Sequence, residues 1–198
     1  LDGTLQIGDD GPAGSLAPGP LTNHGTLRFD RRGTLIVANP IHGRGSLLID
    51  CPPRAGTIQL RGDNHFQGDI TIASGTLAIT RSSALGSGPK TIDLTRGHGT
   101  LRLEGDGIEL PATLTLRTSG SPAPGAIHHP AGRNTIAGPI QLGIGAGNTL
   151  ITSDGGGLTL AGPITAPGAN RTLVLGGRSP GDNLVTGPIT ETAGRILS

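Results

Sequence analysis

The chain has 198 residues, of which 36 are Gly and 16 are Pro, and its only aromatic residues are two Phe. Because 33% of the residues are hydrophobic and the formal net charge is +1, the chain has apolar surface to bury and little self-repulsion, which argues against disorder. With Lys90 as the only lysine, no basic stripe favours nucleic acid or anionic lipid, and no apolar run is long enough to predict a membrane span.

A five-residue phrase recurs along the first half of the chain: Gly, Thr or Ser, an apolar residue, a variable residue and another apolar residue. It begins at Gly3, Gly25, Gly33, Gly45, Gly56, Gly75 and Gly99. The apolar alternation predicts a short strand in each copy, opened by a turn residue. Repetition about every 20 residues predicts a solenoid, because one unit cannot bury its apolar side chains alone. Residues 1–105 therefore form a clear repeat region.

The segment 106–133 is less regular. Residues 114–116 predict a strand, and the Ser, Pro and Gly residues of 119–125 predict a loop. We expect an irregular coil with a protruding loop, and a linker between two domains is the alternative.

A looser phrase, Gly-Pro-Ile, marks residues 134–198. Its glycines, Gly138, Gly162 and Gly187, are 24 and then 25 residues apart. Two further strand candidates recur within each period, at 148–151 with 158–160 and at 171–175 with 183–185. Three short strands and three turns in about 24 residues make one coil of a parallel β-helix. We predict an all-β chain, one single-stranded β-helix over 1–198, with three strands per coil and about eight or nine coils.

Residues with catalytic potential are scattered. Gly97-His98-Gly99 and Asp9-Asp10 superficially resemble motifs of polygalacturonase-type glycosidases, but several coils separate them, and paired acids must lie about 5 to 10 Å apart. Asp50, Asp69 and Asp93 are about one coil apart and are interpreted as solvated acids. We predict no catalytic residue and no enzymatic activity.

Candidate ligands for metals and cofactors are equally sparse. His128 and His129 should point apart in an extended segment, and we interpret them as a solvated loop pair. The Gly-rich residues 143–147 precede no predicted helix that could hold a phosphate and indicate a tight corner. Asp154 and the run 181–183 indicate turns, and Cys51 an isolated thiol in a turn. We therefore predict no metal and no cofactor.

Asparagines recur near the predicted turns. In a solenoid, Asn at equivalent corners can form hydrogen-bonded ladders and accepts left-handed backbone geometry, so we expect a structural role for these residues. They are Asn23, Asn39, Asn64, Asn134, Asn148, Asn170 and Asn183.

One stretch carries a family resemblance. Residues 64–88 contain an Asn, an aromatic residue before Gly, Thr-Ile, Gly-Thr-Leu and, at 84–88, Ala-Leu-Gly-Ser-Gly. This stretch closely resembles the autotransporter-associated β-strand repeat, also called the passenger-associated transport repeat. Residues 3–47 look like another unit. The resemblance covers about the first 105 residues well and the rest loosely.

The resemblance implies a right-handed parallel β-helix in a secreted or surface protein of bacteria, often a passenger exported by an outer-membrane barrel. The leading hypothesis is a structural stalk or passenger segment, outside the cell or associated with the outer membrane, with an adhesin stalk as one form. We expect a fragment of a longer protein, so whether a translocator barrel follows is left open, and another type of exported repeat protein is the alternative.

Expected partners are flanking repeats of the same protein. Open coil ends favour end-to-end self-association into filaments, and a host receptor or a surface glycan is a further candidate ligand for the loops. The alternative function is a polysaccharide-binding or polysaccharide-cleaving β-helix, with a groove beside the loop of residues 108–133.

Overall fold

A computed structural model describes residues 2–143, 147–166 and 171–191. Apart from one 3-10 turn at Ser82–Leu85, the regular structure in these ranges is parallel β-strand, stacked as a solenoid of about 8 turns. The prediction of an all-β parallel β-helix is confirmed. No helix in the described ranges is long and apolar enough to cross a membrane.

The strands form three stacks, which we call faces 1, 2 and 3. Face 1 contains β1 (Thr4–Gly11), β3 (Thr26–Arg31), β6 (Ser46–Asp50), the first half of β8 (Ile70–Ile79), β9 (Lys90–Leu94), β12 (Leu114–Thr118), β15 (Ile140–Leu142), β18 (Ile164–Ala166) and β21 (Ile189–Glu191). Face 2 contains β4 (Gly33–Val37), β7 (Gly56–Leu60), the second half of β8, β10 (His98–Leu103), β13 (Ile127–His129), β16 (Thr149–Ser153) and β19 (Leu173–Gly176).

Face 3 consists of two separate ladders of shorter strands. The first pairs β2 (Leu21–Thr22) with β5 (Ile41–His42), and the second contains β11 (Glu109–Leu110), β14 (Arg133–Ile136), β17 (Gly157–Leu160) and β20 (Leu184–Val185). The strand candidates of the sequence analysis at 148–151, 158–160, 171–175 and 183–185 coincide with strands, with ends shifted by one or two residues. Residues 106–133 also form a coil with strands on all three faces, and the loop without regular structure is limited to 119–126, of which 122–124 are exposed.

The Gly-Thr-Leu phrases stack in register on face 2. Ile58 of β7 pairs with Leu77 of β8, which pairs with Leu101 of β10. All three are completely buried, whereas the Thr before each of them lies on the outer side, as the alternation of a strand requires. Aliphatic side chains on the inner sides of the coils form one core that extends from Ile7 to Ala166.

The Gly-Pro-Ile triplets form a stacked corner. A Cβ at Gly162 would overlap the carbonyl oxygen of Gly138 in the preceding coil, and one at Gly187 would overlap that of Gly162. The carbonyl of each following proline accepts a hydrogen bond from the preceding coil, as Pro163 does from the amide of Ile140 at 2.9 Å. The triplet repeats because this corner has no room for a side chain at its first position.

The last described coil leaves its apolar side chains uncovered. Leu175, Val185 and Ile189 are 48%, 40% and 49% exposed. Their partners one coil earlier, Ile151, Leu160 and Ile164, are buried. The core therefore ends at an open face in the described structure.

Candidate functional site

The structure gives the candidate acids partners of their own. Asp10 pairs with Arg32 on the first coils at 3.1 Å, far along the stack from His98 on β10. Asp50 pairs with Arg28 at 2.9 Å. The other two accept backbone hydrogen bonds, Asp69 from Thr91 at 2.7 Å and Asp93 from Thr95 at 2.8 Å. These carboxylates stabilise local turns and coil contacts.

The interpretation of His128 and His129 as a solvated loop pair is wrong. Both lie on β13, which pairs with β10 and β16, so their side chains alternate between the two sides of face 2. His129 is completely buried, with Nδ1 2.8 Å from Oγ of Ser153, and burial lowers its pKa. On the outer side, Nε2 of His128 lies 2.9 Å from Oδ2 of Asp154, and this hydrogen bond lowers the pKa of that carboxyl.

Neither this pair nor a second one makes a metal centre. His42 and His65 stack on successive coils with their ring centroids 5.5 Å apart, a contact that the sequence analysis missed. No group of three or more His, Cys, Asp or Glu in the described part of the chain is placed to hold a metal ion. Cys51 is a buried free thiol in the corner before Pro52, and burial raises its pKa.

The sequence analysis also missed a buried lysine. Lys90 is only 6% exposed, and its Nζ donates to the carbonyl of Phe66 at 2.7 Å and to that of Leu85 at 2.9 Å. The ammonium also lies 4.1 Å from the centroid of the Phe66 ring. Burial lowers the pKa of Lys90 to about 8. The lysine joins β9 to the preceding coil and to the 3-10 turn, which is a structural task.

Several asparagines connect neighbouring coils. Asn64 accepts a hydrogen bond from the amide of Ile41 at 2.8 Å and donates to the carbonyl of Ala84 at 2.7 Å, so it spans three successive coils. Asn134 and Asn183 accept from backbone amides one coil earlier. This supports the structural role. The left-handed backbone geometry does not occur at the described asparagines, because the described non-Gly residues with positive φ are Asp10 and Arg54.

Two of the predicted features fall partly or wholly outside the described residues. These are the centre of the Gly-rich corner at 143–147 and Asn170.

A groove of about 600 Å³, here called the threonine groove, lies on the outer side of face 2. Its floor carries Thr57, Thr76 and Thr100, which are in register on β7, β8 and β10. One wall is the corner at Pro53 and Arg54, and the other is the loop of residues 121–124. The protruding loop thus converts a flat sheet surface into a concave one.

Hydrogen bonds to the sheet hold the loop wall of the threonine groove in place. Oγ1 of Thr100 donates to the carbonyl of Gly125 at 2.8 Å, and Oγ1 of Thr152 donates to that of Pro124 at 2.6 Å. Within the loop, the amide of Gly125 donates to Pro122 at 2.9 Å. The concave shape is therefore built into the free protein.

Comparisons with known proteins add one relative. No protein-family model matches the chain, and no solved structure gives a significant match. Over 108 residues the chain is 32% identical to the adhesin BmaC autotransporter of Brucella suis biovar 1 (strain 1330). The match covers 54% of this chain and 3% of that much longer protein. This distant similarity and the β-solenoid fold agree with a repeat protein of the autotransporter passenger type and suggest a place at the cell surface.

Proposed function

We propose that this chain is a non-enzymatic structural segment, a β-helix stalk or passenger segment of an exported bacterial surface protein. The observation that best supports this proposal is the single aliphatic core, which continues in register through the coils from Ile7 to Ala166. In a solenoid each coil is stabilised mainly by the coils on either side of it, so such a core supplies length and stiffness together. The similarity to an autotransporter adhesin supports a surface location.

The open face of the last described coil supports flanking repeats as the partner. Its exposed aliphatic residues occupy the same register positions as core residues one coil earlier. A further coil of the same protein would bury them, and this is the occupant we propose. End-to-end association of separate chains is the competing arrangement, and light scattering at rising concentration distinguishes the two, because only self-association increases the particle mass.

Deletion of a whole coil tests the stalk function in the native protein. Removal of residues 138–161 takes out 24 residues and joins the chain at the next Gly-Pro-Ile triplet, so the register is kept. Removal of residues 138–149, which are 12 residues, breaks the register. We expect surface display, measured by antibody labelling of intact cells, to survive the first deletion and to fall severalfold after the second.

Equal display of the two deletions would contradict the proposal, because the coil would then not be the structural unit. Enzymatic activity is tested separately. Incubation with a panel of acidic polysaccharides should release neither new reducing ends nor unsaturated products, and the release of either would overturn the non-enzymatic assignment.

A further inference from the structure

The threonine groove offers hydroxyl groups without protein partners. Thr57 and Thr76 are partly exposed on its floor, and their hydroxyls make no hydrogen bond within the described residues. The hydroxyl of Thr100 donates its hydrogen bond to the loop, and its oxygen can still accept one. Adjacent strands lie about 4.8 Å apart, so the hydroxyls form a row along the solenoid axis.

The ionisable side chains that line the threonine groove are all of basic residues. They are Arg54, His98 and Arg102, and the lining contains no Asp or Glu. Arg102 also pairs with Glu104, outside the lining, at 2.5 Å. Arg54 is exposed and has no charged partner among the described residues, and its backbone is held at a φ of 60°. Arg54, whose guanidinium has no charged partner among the described residues, therefore borders the same groove as the row of hydroxyls.

The free arginine and the threonine hydroxyls of the groove favour one class of anionic ligand over the others. Single-stranded nucleic acid is normally bound by stacking on several aromatic side chains, and the lining has no Phe, Tyr or Trp. An extended peptide normally binds to an exposed sheet edge, whereas the groove lies on the outer surface of face 2 between paired strands. A carbohydrate chain with acidic groups uses both features, since its hydroxyls can bond to the Thr row and its anions to Arg.

We propose that the threonine groove binds an acidic glycan, a carbohydrate chain bearing carboxylate or sulfate groups, along the solenoid axis. Arg54 binds an anionic group through its planar guanidinium, and Thr57 and Thr76 bind sugar hydroxyls. The volume of about 600 Å³ lies within the range of small-molecule sites and suits a short oligosaccharide segment. This binding site is separate from the stalk function, because a stalk needs no ligand.

Fluorescence anisotropy of the whole chain with labelled oligosaccharides tests the proposal. The probes are a hexamer of galacturonate, its methyl ester, which has the same hydroxyls without charge, and a heparin hexasaccharide. We expect at least one acidic probe to bind and the methyl ester to bind at least tenfold more weakly. Binding of the galacturonate probe shows that carboxylate suffices as the anionic group. Because heparin carries both carboxylate and sulfate, binding of the heparin probe without binding of the galacturonate probe identifies sulfate.

Matched variants locate the site. Arg54→Gln should weaken binding of the acidic probe about tenfold, the loss expected for one charge-assisted contact. Arg117→Gln, an exposed arginine on face 1, removes the same charge away from the groove and should change affinity less than twofold. Thr76→Val should weaken binding severalfold, whereas Thr115→Val on face 1 should have no effect.

Three results would overturn the proposal. The first is no binding of either acidic probe at millimolar concentration. The second is equal binding of the methyl ester, which would show that charge is not recognised. The third is an equal loss in the two Arg variants, which would show nonspecific attraction. All four side chains lie outside the core, so we expect each variant to keep the solenoid intact. Circular dichroism of each variant verifies this.

Discussion

Substitution of Asn134 by alanine tests how the coils are joined. Asn134 is 2% exposed, and its Oδ1 accepts a hydrogen bond from the amide of Ile108 at 2.7 Å. Its Nδ2 donates to Gly105 at 2.9 Å and to Ala131 at 3.2 Å. Alanine removes all three bonds and leaves a buried amide at Ile108, a residue that is itself 1% exposed.

The loss of stability expected for the Asn134→Ala variant follows from these contacts. A buried donor without a partner costs about 1 to 3 kcal/mol, and each further lost bond costs about 0.5 to 1.5 kcal/mol. Since such terms are not fully additive, we expect the free energy of unfolding to fall by about 2 to 4 kcal/mol. Urea unfolding followed by far-ultraviolet circular dichroism measures the change, and amide hydrogen exchange at Ile108 should become faster.

Asn39 provides the matched control. Its Nδ2 donates to Ala17 at 2.8 Å and to Gly19 at 2.6 Å, but these bonds are exposed to solvent. Water can replace them, so Asn39→Ala should cost less than about 0.5 kcal/mol. If both variants lost the same stability, the burial of the corner amide would not explain the role of Asn134.

Other predictions concern pH and the glycine corner. Burial lowers the pKa of His129 below its ordinary value of 6.5, so the unfolded chain binds more protons than the folded chain near that pH. The urea midpoint should therefore fall as the pH drops below about 6.5. His129→Leu should make the urea midpoint less dependent on pH in this range. Burial likewise holds the pKa of Lys90 at about 8 instead of 10.5, so the urea midpoint should rise as the pH increases between these two values. A Lys90→Met variant that still showed this rise would contradict the assignment to Lys90. Gly162→Ala should destabilise by about 1 to 3 kcal/mol in urea, because the new Cβ would overlap Gly138; unchanged stability would show that the corner can relax.

The stacking of the coils could be read from the sequence because its determinants are local and periodic. Alternating apolar residues define the strands, and a repeated phrase such as Gly75-Thr76-Leu77 aligns with its neighbours once one strand is placed. The Gly-Pro-Ile spacing similarly predicts a stacked corner.

The buried polar residues could not be read in this way. Lys90 is buried because the carbonyls of Phe66 and Leu85 meet its ammonium, and those groups come together only after the coils stack. His129 presents the same difficulty, because a histidine in a Pro- and Gly-rich stretch is usually solvated, and the partner that stabilises its burial, Ser153, lies 24 positions away. The threonine groove also depends on register between coils and on a loop whose direction no local pattern specifies.

The loop that closes the threonine groove shows how a solenoid can acquire a binding site without losing its core. Leu101 pairs with Ile127, which is 26 positions later, whereas Ile127 pairs with Ile151, which is 24 positions later. The two additional residues in the first of these coils are accommodated while the inward side chains on both sides stay buried. Outer positions and the corner loop are thus free to vary as long as the strand register is kept. The stalk and the groove use different residues, so removal of the guanidinium of Arg54 should abolish most of the glycan affinity and leave the stability of the solenoid unchanged.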